Sequence, residues 1–399
     1  MSDLLGVLLT LVALLLLVPS VVFFLETMAA RRPLPSTPTA SDVPRPRLAV
    51  LMPAHDEATG IAASLATIVP QLAPGDRLLV VADNCSDDTA AVAVASGAEA
   101  IRRHDPERRG KGYALDFGVR HLAADAPAIV VVVDADCMLH PGSLERIATT
   151  CAATGRPVQA LYLMRSPPSA ALSTRISEFA WTVRNLVRPL GALRLGVPCQ
   201  LMGTGMAFPW PVIEAAPLAS GHIVEDMCLG LDLAEAGTPP IFCPDALVTS
   251  TFASKADGLA TQRTRWEHGH LGVITERAPR ALAEAIRNGD AAFAAMVLDL
   301  CVPPLASLVL MLVVGALVGL VFLALGGEGA PFIVCLLALI LVSIGVATAW
   351  RRFGRDIVSL RDLAGVPGYM MSKLPLYWQA LRGRQARWVR TDRDDASPK

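Results

Sequence analysis

Two carboxylates one residue apart are the first feature of this chain that could do chemistry. Asp134 and Asp136 follow a run of four valines in the segment AIVVVVDADCMLH. Carboxylates at this spacing at the end of a strand can hold a divalent cation that bridges a diphosphate, because Mg²⁺ prefers a few carboxylate oxygens together with phosphate oxygens. The pattern alone is weak evidence for a metal, since Asp392 and Asp394 repeat it in a charged tail.

Three other polar motifs follow predicted strands. They are PAHDE at 53–57, ADNCSDDT at 82–89 and RRGKGYAL at 108–115. Ligands of parallel α/β sheets bind beyond the carboxyl ends of the strands, so these motifs are expected to lie near Asp134. Simpler interpretations exist, because Asp83 suits an Asx-type turn and Lys111 suits a solvated basic turn.

Two motifs farther along the chain add a carboxylate pair and an aromatic plate. Glu225 and Asp226 open the predicted helix EDMCLGLDLAEAG. Acidic residues there also complement the helix dipole, so position alone does not decide between a catalytic role and helix stabilisation.

In QRTRW, helical spacing places Gln262, Arg265 and Trp266 on one face. That face offers a guanidinium fork for diphosphate oxygens and a plate for a sugar. The alternative is a buried Trp beside an Arg that reaches solvent.

The elements that must position these residues alternate between strands and helices. Strand patterns at RLAVLM, DRLLVVA, AEAIRR and the valine run are separated by helical patterns. A continuous β-branched run predicts a strand buried on both faces. The sequence therefore predicts an α/β fold, with a mostly parallel sheet and helices on both faces.

Three uncharged segments are long enough to cross a bilayer. They run from Leu4 to Leu25, from Leu300 to Leu325 and from Pro331 to Trp350, the last two forming a hairpin. By the positive-inside rule, the flanking arginines predict an outside N-terminus, with Arg31 to about Asp299 and the tail in the cytoplasm. Aromatic and basic residues at 366–381 suit a segment at the membrane surface, with a re-entrant or soluble helix as the alternative.

Composition agrees with a membrane protein that carries one sizeable soluble domain. Of the 399 residues, 53% are hydrophobic and 18% are charged, and the net charge of -1 gives no sign of a nucleic-acid partner. The eight cysteines are scattered, without a CxxC pair or zinc spacing, which indicates a reduced cytosolic setting.

Seven motifs in order resemble those of family 2 glycosyltransferases with the GT-A fold. They are PAHDE, ADNCSDDT, RRGKGYAL, VVVVDADC, GTGMAF, VEDMCLGLDL and QRTRW. The resemblance covers about residues 46–275 together with the terminal spans. It is to membrane-anchored members, akin to cellulose, chitin and hyaluronan synthases and ceramide glucosyltransferases.

The resemblance implies a role for each matching residue. Asp226 would be the general base, and Asp83 would contact the uracil ring. Asp134 and Asp136 would hold Mg²⁺ or Mn²⁺ against the diphosphate of a UDP-sugar, with Asp136 the more direct ligand. The other implied donor contacts are Pro53, Glu57 and Lys111, and the implied diphosphate or acceptor contacts are Gly203, Thr204, Glu225, Gln262, Arg265 and Trp266.

The resemblance also implies an activity: inverting, metal-dependent transfer of a sugar to a lipid-linked or membrane-presented saccharide acceptor. The setting would be exopolysaccharide or glycolipid assembly at a bacterial inner membrane, in a multi-pass protein surrounded by membrane lipid. Two spans after the domain are few for a translocation channel, which favours addition of one or a few sugars. The alternatives are a processive synthase working with other polysaccharide-assembly proteins and, from another class, a non-catalytic nucleotide-sugar-binding scaffold.

The same reasoning divides the chain into five predicted segments. They are an anchor at 1–30, a Pro-rich linker at 31–46, a cytoplasmic GT-A domain at 47–285, a transmembrane hairpin at 290–350 and a basic tail at 351–399.

Overall fold

The chain divides into two units by its internal contacts. The computed structural model describes residues 2–31, 44–222, 224–252, 256–365 and 368, without the side chains of 2, 256–265 and 364. The first unit draws its described residues from 1–33, 170–197 and 270–384, and the second draws its own from 34–169 and 198–269. Most of the predicted linker, and the predicted surface segment 366–381 apart from residue 368, lie outside the described residues.

The second unit is built on an eight-stranded mixed sheet. Its strands are β1 (Leu48–Ala54), β2 (Arg77–Asp83), β3 (Glu99–Arg103), β4 (Ile129–Val132), β5 (Met138–Leu139), β6 (Val158–Arg165), β7 (Met206–Pro209) and β8 (Ile241–Thr251). Their spatial order is β3-β2-β1-β4-β7-β6-β8-β5. The pairs among β1 to β4 and the pair β6–β8 are parallel. Strand β7 runs antiparallel to both of its neighbours, and β5 runs antiparallel to β8.

Helices cover the sheet because its central strands are apolar on both faces. The helices of this unit are α2 (Ile61–Ile68), α3 (Thr89–Ala95), α4 (Lys111–Leu122), α5 (Ser143–Thr154), α8 (Trp210–Ala215) and α9 (Glu225–Glu235). Leu51 and Val130 share a core cluster with residues of α4 and α9. Val50 and Val131, which alternate to the other face, are equally buried, and α5 contacts β4. The α/β fold predicted from the valine run is confirmed.

The first unit contains the apolar helices. Its elements are α1 (Ser2–Ala29), α6 (Leu172–Thr182), a π-helical turn (Val183–Val187), α7 (Arg188–Leu195), α11 (Ala278–Asn288), α12 (Ala291–Leu300), α13 (Leu305–Ala324), α14 (Ala330–Ala349) and a second π-helical turn (Trp350–Gly354). The helix α10 (Ala256–Glu276) runs from the second unit into the first.

Three of these helices are long and apolar enough to cross a membrane. They are Asp3–Ala29, Leu305–Ala324 and Ala330–Gly354, with mean hydropathies of 2.9, 2.8 and 2.8. The second begins five residues later than the sequence predicted, because the extended backbone of Pro304 precedes it and α12 has already ended at Leu300.

A buried charge group ties three helices of the first unit together. The guanidinium of Arg188 donates to Glu26 at 2.7 Å and also binds Asp299, so residues from α1, α7 and α12 meet. A Cβ on Gly191 would lie 2.0 Å from the carbonyl oxygen of Glu26, so α7 packs closely on α1. Residues 170–197 therefore group with the apolar helices. The predicted domain boundaries, including a GT-A domain at 47–285, remain predictions.

Candidate active site

The Asp134 loop is anchored by a fully buried polar clamp. The backbone N–H of Asp134 donates to the Thr204 hydroxyl at 3.1 Å. The Gln159 amide donates to the Thr204 carbonyl at 2.9 Å and accepts from the N–H of Met202 at 2.8 Å. Thr204 and Gln159 are both 0% exposed. This burial favours a supporting role for Thr204 over the direct ligand contact that the sequence predicted.

Lys111 is the centre of a cluster of opposite charges. It is the first residue of α4, and its ammonium donates to the carbonyl of Gly203 at 2.6 Å. The same ammonium lies 2.5 Å from Oδ1 of Asp134 and 3.9 Å from Oε1 of Glu225, the first residue of α9. Burial opposes this charge, yet Asp134, Glu225 and Asp226 raise the pKa of Lys111 above its usual value. Lys111 is therefore a permanent cation and not a solvated turn residue.

Glu225 and Asp226 have a shared electrostatic environment at the start of α9. Burial, opposed by Lys111 and reinforced by Asp226, raises the pKa of Glu225 to about 7. Both residues are partly exposed.

Two glycines permit the close approach of these elements. Gly203 has a φ of +90°, and a Cβ there would lie 3.4 Å from Oδ2 of Asp226 and 3.6 Å from Nζ of Lys111. A Cβ on Gly112 would lie 2.4 Å from the carbonyl oxygen of Leu218. A side chain at Gly203 would be strained by the positive φ, and one at Gly112 would clash with the backbone of Leu218.

Two carboxylates of this cluster fit a hard cation. Oxygens of Asp134 and Asp136 lie within 4.8 Å of one another and of the Cys137 sulfur. Burial and the neighbouring Asp136 and Asp134 raise the pKa of the Cys137 thiol, which donates to Asp136 at 3.5 Å. The thiol is therefore protonated, and the available donors are carboxylate oxygens, the ligands that Mg²⁺ and Mn²⁺ prefer.

The carboxylate of Asp83, at the end of β2, is held by two hydrogen bonds. Its Oδ1 accepts from Arg103 at 2.6 Å and from the side-chain amide of Asn84 at 3.0 Å. The Arg103 guanidinium lies over the ring of Tyr113, 5.5 Å from its centroid. Sequence reasoning missed Arg103, although parallel pairing of β2 with β3 places Arg103 directly beside Asp83.

Hydrogen bonds join the loops that carry the PAHDE and ADNCSDDT motifs. The N–H of Glu57 donates to the Thr89 hydroxyl at 2.8 Å, and the N–H of Ser86 donates to Asp56 at 2.6 Å. Pro53, in β1, pairs in register with Val81 of β2. The structure thus brings the motifs of neighbouring strands to one edge of the sheet, as the sequence predicted.

The helix α10 carries the QRTRW motif past the start of α9. A Cβ on Gly269 would lie 2.6 Å from Cγ1 of Val224, the residue before Glu225. Trp266 is partly exposed on this helix. The motif lies on a helix, but the side chains of Gln262 and Arg265 lie outside the described residues, so their shared face with Trp266 remains a prediction.

Comparison with known proteins shows the family and the fold of the chain. The model of the family described as "Glycosyltransferase like family 2" matches residues 44–269. An uncharacterized glycosyltransferase of Mycobacterium tuberculosis is 32% identical over 187 residues, covering 41% of this chain and 81% of the relative. Glucosyl-3-phosphoglycerate synthase of the same organism is 32% identical over 200 residues, covering 45% of this chain and 58% of that enzyme.

One solved structure is similar over nearly the whole chain. It is a mannosyltransferase from Pyrobaculum calidifontis in complex with GDP-Man and Mn²⁺. The TM-score is 0.55 and the sequence identity 19%, and the match covers 94% of this chain and 95% of the other. At this identity the likeness establishes the fold.

Proposed function

Because the chain belongs to the family of glycosyltransferase like family 2 and is a glycosyltransferase, we propose that it transfers a sugar from a UDP-sugar, with inversion and with a divalent cation, to a membrane-presented acceptor. The observation that carries this proposal is the Lys111 ammonium, held between Asp134 and Glu225 with Asp226 beside them. Membership in a family of enzymes counts against the alternative of a non-catalytic scaffold.

Asp226 is the proposed general base. It is partly exposed, and the missing side chain at Gly203 leaves space next to its Oδ2. In the proposed step the acceptor oxygen attacks the anomeric carbon while its proton passes to Asp226. The bond from that carbon to the diphosphate oxygen breaks, and the nucleoside diphosphate leaves with the electron pair.

Lys111, Asp134 and Asp136 are proposed to hold the diphosphate. The cation for which the two aspartates provide oxygen ligands would neutralise charge that develops on the leaving group. Lys111 supplies a fixed positive charge at the same place, and Thr204 and Gln159 hold the backbone of the Asp134 loop. Mn²⁺ in the similar mannosyltransferase favours Mn²⁺ over Mg²⁺ as the first cation to test.

Asp83 is proposed to select the nucleotide base. Arg103 and Asn84 both donate to Oδ1 of Asp83. These two hydrogen bonds fix the orientation of the carboxylate and therefore the position of Oδ2. A carboxylate oxygen can accept the ring N–H of uracil. Pro53 and Glu57 border this end of the sheet, and Trp266 is proposed to contact the acceptor.

The acceptor is proposed to be lipid-linked. Support comes from the three helices that are long and apolar enough to cross a membrane. With the arginines that follow α1 and α14, they support a multi-pass protein of the bacterial inner membrane with its GT-A domain in the cytoplasm. Exopolysaccharide or glycolipid assembly is the proposed setting.

Release of nucleoside diphosphate by the detergent-purified full chain tests the reaction. UDP-glucose and GDP-mannose are offered with Mn²⁺, with Mg²⁺ or with a chelator, each with and without a bacterial lipid extract. We expect release from the UDP-sugar that requires both a cation and the lipid extract. Asp136→Ala should abolish it, whereas Asp116→Asn, which only breaks an exposed ion pair with Arg120, should not. Release that persists with chelator and in Asp136→Ala would contradict the proposal.

A further inference from the structure

Five arginines of the first unit gather at one end of its apolar helices. Helices α1 and α14 run side by side, since a Cβ on Gly345 would lie 2.7 Å from Phe23 and 2.9 Å from Thr27. Their carboxyl ends therefore meet. Arg31 follows α1, Arg194 lies in the last turn of α7, and Arg351, Arg352 and Arg355 lie at or just beyond the end of α14.

These five arginines have no carboxylate partner within the described part of the chain. None of them takes part in an ion pair there, whereas Arg175 and Arg188 of the same unit each bind at least one aspartate. Arg352 and Arg355 instead lie over the rings of Phe353 and Trp350, at 5.9 Å and 5.5 Å from the ring centroids. Among the described residues, the five arginines at this end of the helices thus carry positive charge without an ion-pair partner.

Arg194 is the most constrained of the five. Its Nη1 donates to the carbonyl of Ala29, the last residue of α1, at 3.4 Å, a long hydrogen bond. Its Nε is shielded from solvent and has no acceptor among the described residues. Burial and the nearby charge of Arg352 lower the pKa of Arg194. Arg194 at the end of α1 and Arg352 beyond the end of α14 thus lie where these two helices meet, and the shielded N–H of Arg194 favours an anion there.

The position of this pair identifies the anion. Arg352 lies at the end of α14, and Arg194 binds the last residue of α1, so both are at the end of a helix that is apolar enough for a bilayer. Trp350, at the same end of α14, is of a residue type enriched at the membrane interface. Phosphate oxygens accept two guanidinium groups at once, which relieves the repulsion between them. An anion that reaches a shielded N–H beside apolar helices is best supplied attached to an acyl or alkyl chain.

We propose that Arg194 and Arg352 bind the phosphate group of a membrane lipid, with Arg31, Arg351 and Arg355 supplying a surrounding positive field. The site belongs to the first unit and does not depend on the reaction proposed for the second. The phosphate can belong to an anionic bilayer lipid or to a phosphorylated lipid substrate, and both sources present the same group to the arginines.

Binding of short-chain lipids to the full chain in a neutral maltoside detergent tests this site. The probes are dihexanoyl phosphatidylglycerol, dodecyl phosphate, dihexanoyl phosphatidylcholine and inorganic phosphate, and the readout is a titration by native mass spectrometry. We expect saturable binding of the first two probes and little of the last two. The variant Arg194→Gln/Arg352→Gln loses two charge-assisted contacts, so its affinity for the two anionic lipids should fall about tenfold or more.

A charge-matched variant separates this site from net charge. Arg280 and Arg287 of α11 are exposed and have no carboxylate partner among the described residues, so Arg280→Gln/Arg287→Gln removes the same charge elsewhere in the unit. It should bind the lipids as the wild type does. If the double variant does not fold, Arg352→Gln alone, a substitution at an exposed position, replaces it in the lipid titration and should also bind the anionic lipids more weakly.

The outcomes decide the source of the phosphate as well. Tighter binding of the phosphate monoester supports a phosphorylated substrate, and equal or tighter binding of phosphatidylglycerol supports a bilayer lipid. Inorganic phosphate bound as tightly as the lipids, wild-type binding in the double variant, or equal weakening in the matched variant would overturn the proposal. Because no turnover is measured, failure here is distinct from failure of the proposed transfer reaction.

Discussion

The ammonium of Lys111 lies 2.5 Å from the carboxylate of Asp134 and 3.9 Å from that of Glu225. One cation thus joins the start of α4, the loop after β4 and the start of α9, three segments that are distant in the sequence. Asp134 is also one of the two carboxylates that fit a divalent cation, so Lys111 and a metal would share the Asp134 carboxylate.

Replacement of Lys111 by methionine should destabilise the protein and make it more dependent on metal. Loss of one partner from a largely buried ion pair costs about 3 to 5 kcal/mol, because the remaining charges are left uncompensated. In differential scanning fluorimetry we expect a lower Tm for Lys111→Met and a larger Tm increase on addition of Mn²⁺ than in the wild type. An equal or smaller Mn²⁺ effect in the variant would contradict shared use of Asp134.

Glu225 should make stability fall as the pH rises. Burial raises the pKa of Glu225 from 4.5 to about 7, so the native state binds more protons than the unfolded state between these values. The stability contribution is present below pH 4.5 and is lost as the pH rises toward 7, by up to about 3 kcal/mol.

Urea unfolding at several pH values measures this contribution. Glu225→Gln removes the titrating group, so the free energy of unfolding of the wild type should fall relative to that of the variant between pH 5 and pH 8, a window chosen to bracket the pKa of about 7. Parallel pH profiles for the two proteins would show that Glu225 titrates normally.

His270 should make the first unit sensitive to acid. Burial and Arg184 lower the pKa of His270 from 6.5 to about 3, and its Nε2 donates to the carbonyl of Leu300 at 2.8 Å. The native state therefore binds fewer protons, and stability present above pH 6.5 is lost as the pH falls toward 3, by up to about 5 kcal/mol. His270→Gln keeps a donor without the titration, so its Tm should fall less between pH 7 and pH 4 than that of the wild type. An identical decline in both proteins would rule out this role.

Arg103 should matter for nucleotide binding although it need not touch the nucleotide. Charge-assisted hydrogen bonds to a carboxylate contribute about 1.5 to 3 kcal/mol, so Arg103→Gln should raise the Kd for UDP about tenfold or more by releasing Asp83. Arg77→Gln is the matched control, since it breaks an ion pair to Glu99 between the same two strands. Isothermal titration calorimetry with UDP distinguishes them. Equal Kd values for the two variants would remove Asp83 from the base-binding site.

The parallel half of the fold was predictable because its signals are local. β1, β2 and β4 are short apolar runs, β3 is a short strand with three charged residues, and helical patterns separate them. Each strand appears within a few residues of its predicted place. The antiparallel insertion of β7 between β4 and β6 was not predictable, because MAFP carries no local signal of its partner or direction. Nor does the amphipathic segment 172–195 reveal in its sequence that it groups with the apolar helices.

The sequence predicts which residues lie near the candidate site, but not which side chains contact one another there. Carboxylates at strand ends follow from topology, which places Asp134 and Asp83 at one edge of the sheet. The partners of these residues depend on side chains brought together by tertiary packing. The ion pair from Arg103 to Asp83 and the clamp of Gln159 on Thr204 both join segments twenty or more residues apart.

The role of Asp226 is the most direct test of the account, and it requires donor binding and sugar transfer to be measured on the same preparation. Asp226→Asn keeps the size of the side chain but removes the base, so transfer should fall about a thousandfold while the Kd of the metal-bound donor stays unchanged. Asp116→Asn should match the wild type in both measurements. Wild-type transfer by Asp226→Asn would contradict the account, and so would a loss of donor binding that accounts for the whole loss of rate.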